Sequence, residues 1–179
     1  MTETYEFPTP FTAWLVCIYF VLQKARRDGL MSIEGDVDTP HAEKSLFRDF
    51  PQTLQEPYLE FATDLLRVAL GGNLNADEVS LYVEHAIAGH TEAGVANIQL
   101  LKTIWLIIRS AMMGYTPHEA IEFGRQAIPV AIKPTYAALK AEYQSLSQRG
   151  YQGLGLITPK ATTDVLVEKF MDSILGKKT

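Results

Sequence analysis

Apolar residues recur along this chain at steps of three and four, the period of helices buried along one side. The first run, "FTAWLVCIYFVL", is apolar for twelve residues and predicts a helix over about 11–28. Gly29 either ends that helix or lies within it, and Pro40 limits any continuation. In "EPYLEFATDLLRVALGG", Tyr58, Phe61, Leu65, Val68 and Ala69 share one face, and Gly71-Gly72 supply a C-terminal stop. "NADEVSLYVEHAIAGH" opens on Asn75 with Glu78 three residues later, the pattern of a capping box. Val79, Tyr82, Val83 and Ala86 follow at helical spacing. Gly89 and Gly94 weaken that helix by roughly 1 kcal/mol each relative to alanine. "NIQLLKTIWLIIRSAMM" then resumes it up to Gly114.

The second half repeats these signals. Thr116 as N-cap, Pro117 at the first helical position and Glu119 completing a box start a helix that Pro129 ends. "KPTYAALKAEYQSLSQRG" puts Tyr136, Leu139, Tyr143 and Leu146 in one stripe, read as ordinary core packing, with Gly150 as the stop. "GYQGLG" is a glycine-rich connector, and "TPKATTDVLVEKFMDSILGKK" carries Leu166, Phe170 and Ile174 at four-residue steps. No alternating stretch predicts a strand. The pattern predicts an all-α, compact bundle of about six to seven helices. Residues 1–149 form the helical domain; residues 150–179 add the connector and an amphipathic helix that docks on the core or binds a partner.

Composition agrees with a globular chain: 47% of its 179 residues are hydrophobic and 21% are charged. A net charge of −5 argues against nucleic acid as the main partner, because duplex binding rests on neutralising phosphate with Lys and Arg. The single cysteine, Cys17, rules out a disulfide within the chain. "MTETYEFPTP" has no basic stretch and no small-residue cleavage site, so it does not read as a secretory signal. The twelve-residue apolar run falls short of the ~20 residues that span hydrocarbon. The second apolar run is interrupted by Lys102 and Arg109, whose insertion costs roughly 2.5–3.5 kcal/mol each. The chain is therefore expected to be soluble and cytoplasmic, without a membrane span.

Signals for catalysis are thin. His85 and His90 are five residues apart, which does not align two ligands on one helical face, and His41 and His118 stand apart from them. Cys17 has no base nearby in sequence, and a thiol in apolar surroundings is inert. "GYQGLG" lacks both the Lys-Ser/Thr of a phosphate loop and a preceding strand. No metal, no cofactor and no enzymatic role are expected.

What stands out is "QKARRDGLMSIEGDVDTPHAEKSLFRDFP", which crowds Arg26, Arg27, Asp28, Glu34, Asp36 and Asp38 into the end of an apolar helix. One reading is a solvated helix end, whose ion pairs are worth about 0–1 kcal/mol each. The other is a surface for a charged partner. On a continuous helix, eight residues would place Arg26 and Glu34 about 12 Å apart on roughly adjoining faces. That separation leaves each free to meet an opposite charge elsewhere, which sets partner choice and association rate.

"ARRDGLMSIEGDVDTP", "SLFRDFP" and "LEFATDLLRVALGGNLNADEVSLYVEHAIAGHTE", taken in order, resemble the cytoplasmic region of the flagellar motor stator family MotA. "GYTPHEAIEFGRQAIP" resembles the segment following that family's last membrane helix. Together the matches cover roughly residues 20–130. The resemblance implies a proton-driven stator, a pentamer of four-helix subunits around a dimeric partner. Its cytoplasmic part pushes on the rotor's switch-ring protein through an arginine and a glutamate. In the matching stretch these are Arg26 and Glu34, with Lys24, Arg27 and Asp28 as neighbours. The family's four membrane helices, two before the first block and two between "HTEAG" and "NIQLLKTIWL", have no counterpart here. No proton conduction by this chain itself is expected, and its place would be the cytoplasm at the inner face of the inner membrane. Other stator subunits, or a second copy of this chain, are further partners. The alternative reading is a soluble stand-alone paralogue, a regulatory or assembly module that docks helices through its apolar tail or its "LLKTIWLII" face.

Overall fold

The Thr12 amide donates to Thr9 Oγ1 at 3.1 Å, and this cap, with Pro10 at the first position, starts the helix that organises the fold. The structure, a computed structural model, describes residues 6–72 and 75–148. Among these are α1 (Pro10–Asp28), α2 (Glu34–Asp38), α3 (Tyr58–Gly71), α4 (Ala76–Glu92), α5 (Ile98–Met112), α6 (Pro117–Ala127) and α7 (Tyr136–Gln148), with short 3-10 turns and no strand. The all-α bundle expected from the apolar pattern is what forms. Every residue from Phe11 to Val21 is buried. A helix apolar on all sides must be enclosed on all sides, and α5, α6, α7 and the turns Leu46–Asp49 and Pro51–Thr53 pack around α1. α5 forms the second axis, touching α1, α3, α4 and α6.

Aromatic rings fill the space around α1. Phe50 stacks with both Phe7 and Phe20 at 6.0 Å, and Trp14 meets Phe47 at 6.4 Å. Tyr19 stacks on Tyr143 of α7 at 4.0 Å and accepts or donates a 3.0 Å hydrogen bond with His118 Nε2. α5 and α6 leave no room for a side chain at Gly124. A Cβ there would stand 2.2 Å from Ile107 Cγ1 and 3.3 Å from the Thr103 carbonyl oxygen, so only glycine permits this seam.

Both capping boxes form as the spacing predicts. The Asn75 amide donates to Glu78 Oε2 at 2.9 Å while the Glu78 amide donates to Asn75 Oδ1 at 3.0 Å. At α6 the Thr116 amide donates to Glu119 Oε2 at 2.7 Å and the Glu119 amide donates to Thr116 Oγ1 at 3.3 Å.

The differences from the sequence reading concern faces and breaks. Gly89 does not interrupt α4; the break falls at Gly94, and Asn97 recaps α5 by accepting from the Leu100 amide at 3.1 Å. Tyr82 and Tyr136, expected on apolar faces, are 45% and 55% exposed. α4 leans on the bundle along a narrow line, so only Val79 and Val83 are buried. α3 is rotated so that Leu59, Ala62 and Leu66 go inward with Phe61 and Leu65, leaving Tyr58, Val68 and Ala69 half-buried. The "LLKTIWLII" face is not a docking surface: Leu100, Leu101, Ile104, Trp105, Ile107 and Ile108 are core. Among the described residues no helix is long and apolar enough to cross a membrane. The stop at Gly150 and the connector and tail at 150–179 lie outside the described residues.

Candidate partner-binding surface

Glycine decides the shape of the charged segment. Gly29 adopts φ 91°, a conformation that other residues rarely take, and α1 ends one residue before it. The chain then forms a 3-10 turn, Leu30–Ile33, that packs back on α1 before α2 begins at Glu34. Arg26 and Glu34 therefore stand on two elements joined by a corner. The continuous-helix spacing assumed for them does not apply.

A buried carboxylate pins this corner. Asp36 is 4% exposed; its Oδ2 accepts from Lys24 Nζ at 2.6 Å, and its Oδ1 accepts from the Leu46 amide at 2.8 Å. One side chain thus ties α1, α2 and the turn at Leu46 together. On the far side of α2, Arg67 of α3 reaches Asp38 at 3.2 Å and donates to the Val37 carbonyl at 3.0 Å. Arg27 Nε donates to the neighbouring Asp28 at 2.7 Å, which raises the Arg27 pKa and lowers that of Asp28.

With Lys24, Arg27, Asp28, Asp36 and Asp38 paired, Arg26 and Glu34 remain. Both are exposed, and neither side chain makes an ion pair or hydrogen bond with another described residue. Farther along, Glu43, Lys44 and Arg48 share that condition. Arg26 lies near the start of α6: it contributes to the lowered pKa of Glu119, whose larger causes are the hydrogen bonds with Thr116. Lys24, expected as a neighbour in an outward-facing surface, is instead committed to Asp36.

Of the remaining candidates for chemistry, Cys17, His90 and His118 are packed against neighbours, whereas His41 and His85 are exposed. Cys17 is fully buried, and burial pushes its thiol pKa far up. His90 meets the Phe61 ring edge-on at 5.9 Å, His118 bonds to Tyr19, and His41 lies 3.8 Å from Glu56 on the surface. Among the described residues no cluster of three His, Cys, Asp or Glu side chains could hold a metal ion. What sequence reading missed is a cavity of about 340 Å³ bounded by Leu22 and Ala25 of α1, Leu66 of α3 and Ile108 of α5, with Arg26 in its wall. The only sequence signal for it was the small residues Ala25, Ala69 and Ala111, whose short side chains leave the space open.

Comparison with known proteins bears on the same region. The chain is 31% identical over 77 residues to Motility protein A of Salmonella typhimurium and 30% identical over 77 residues to Motility protein A of Escherichia coli. The matched stretch is MotA-like. It covers 42% of this chain, which spans only 26% of the length of each relative. No family model matches the chain, and no solved structure matches it.

Proposed function

We propose that this protein is a stator-related interaction domain whose α1–α2 corner engages a charged, rotor-type partner, with Arg26 and Glu34 making the decisive contacts. One observation carries the reading: in a corner where five neighbouring charges are paired, these two side chains stay exposed and unmatched. Similarity to Motility protein A supports a place in flagellar motility. In a stator-related role the partner is the rotor switch-ring protein and the site of action is the cytoplasmic face of the inner membrane. The work done is non-enzymatic. Rigid backing matters for such a contact, because charges held on a fixed corner lose little entropy on binding. The Lys24–Asp36 pin and the Gly29 turn provide that backing.

The test is capture of purified switch-ring protein at low and high ionic strength. Screening shrinks from a range of about 10 Å at 0.1 M salt to about 3 Å at 1 M, so binding through Arg26 and Glu34 should fall steeply. Salt-insensitive capture would favour the second reading, an assembly module that docks apolar helices. That reading draws on the exposed side chains Leu30, Met31, Met113, Tyr115 and Phe123. Under it, other stator subunits or a second copy of this chain become the partner.

A further inference from the structure

Protein cores seldom leave voids larger than a water molecule, yet a cavity of about 340 Å³ opens where α1, α3 and α5 meet. That volume lies within the range of small-ligand sites. The buried part of its wall is aliphatic: Ile33, Leu66 and Ile108 are each no more than 3% exposed. Ala25, Ala69 and Ala111 keep the space open where larger side chains would close it. Leu30 and Tyr115 also line it and are 47% and 41% exposed, so the apolar wall runs out to solvent.

Charge gives this space a direction. Among the described residues Arg26 is the only charged one in its wall; it is exposed and makes no ion pair with another described residue. Glu119, whose carboxylate feels the charge of Arg26, is engaged in capping α6, where it accepts from the Thr116 amide at 2.7 Å. The adjoining groove, which shares Tyr115, carries Glu119 and Glu122 and repels anions. A negative head group is thereby steered to Arg26.

We propose that this cavity binds a free medium-chain fatty carboxylate, its alkyl chain covering the aliphatic wall and its carboxylate paired with Arg26. A neutral hydrocarbon would leave the guanidinium unmatched, and a small anion would leave the aliphatic wall in water. A linear amphiphile with one negative end satisfies both. The volume, at the small end of ligand sites, suits one short chain rather than the two long chains of a membrane phospholipid. The bearing on regulation rests on the reading of Arg26 as a partner contact: an occupied cavity neutralises that cation, and an empty one leaves it for the partner.

Isothermal titration calorimetry of the full chain with decanoate, octanoate and decanol, each kept below the concentration at which it aggregates, tests the site without any partner. Decanoate should bind at one site per chain, about 15-fold tighter than octanoate, since each methylene is worth roughly fourfold. Decanol, lacking the charge, should bind about three- to tenfold more weakly than decanoate. Arg26→Ala should bring decanoate down to the level of decanol. Ala69→Leu and, separately, Ala111→Leu fill the cavity and should abolish binding of all three, with a thermal melt showing that each variant folds. Equal affinity for decanoate and decanol overturns the proposal, as does an Arg26→Ala variant that holds decanoate as well as wild type does. So does binding at many sites that Ala111→Leu leaves unchanged, which is adsorption to the surface. Self-association in sedimentation without decanoate binding assigns the space to a second copy and overturns it. Capture by phosphatidylglycerol vesicles without decanoate binding assigns it to a membrane surface and overturns it too. Decanoate binding together with no switch-ring capture leaves the site standing and removes only its bearing on the partner.

Discussion

Lys24 and Asp36, twelve residues apart on different helices, form a 2.6 Å ion pair whose acidic partner is 4% exposed. The pair is the joint of the α1–α2 corner, because Asp36 also accepts from the Leu46 amide. Lys24→Ala would leave a buried carboxylate with that single amide to bond. Losing one partner of a buried pair costs about 3–5 kcal/mol, and the 25% exposure of Lys24 brings the expected loss to about 1–3 kcal/mol in urea denaturation.

Arg26→Glu should behave differently. An exposed side chain without an ion pair can be reversed with a stability change within about 0.5 kcal/mol. The same variant should weaken switch-ring capture at low salt, and Glu34→Arg should do likewise. A melt lowered by many degrees in Arg26→Glu would contradict its placement on the surface.

Gly124→Ala tests the α5–α6 seam. The added methyl meets the Ile107 side chain at 2.2 Å and the Thr103 carbonyl at 3.3 Å, so one helix must shift. Overpacking of this kind costs about 1–3 kcal/mol. Pairing it with Ile107→Ala, which vacates the clashing atoms, should recover part of that loss, measurable as a non-additive double-mutant cycle.

Asp49 predicts a pH dependence. Burial, followed by the charge of Asp36, raises its carboxyl from 3.8 to about 6. The folded state holds this proton more tightly than the unfolded state. Its stabilising contribution is therefore present below pH 3.8 and lost as pH rises through about 6. Asp49→Asn should remove the penalty carried above pH 6, raising stability at pH 7.5 by about 1–2 kcal/mol after allowance for partial exposure, with little change at pH 4. Chemical denaturation of both proteins across that range is the measurement.

Local signals were legible wherever a residue acts on its own few neighbours. Asn75 with Glu78 and Thr116 with Glu119 form the boxes their spacing announces, since a cap is satisfied within one turn. The enclosed run Phe11–Val21 was equally readable, because a uniformly apolar helix has no face to leave outside. Tyr82 and Tyr136 misled for the converse reason: periodicity marks an apolar side, but how wide a strip is covered depends on the neighbouring helix. For Arg26 and Glu34, residue types and similarity named the positions. The corner between them, and the pairing-off of Lys24 with Asp36, came only from tertiary and turn geometry, whereas Arg27 and Asp28 pair as adjacent residues.

The sequence by itself determined the helices, their caps and the separation of an apolar core from a charged segment. Each of these is a property of adjacent turns, set by backbone hydrogen bonds and the 3.6-residue period. Tertiary structure alone decided which charges face outward, where α5 and α6 close on Gly124, and that a cavity opens beside Arg26. Those outcomes depend on contacts between residues on different helices, distant along the chain. A linear pattern carries no distance between such residues until the helices have packed.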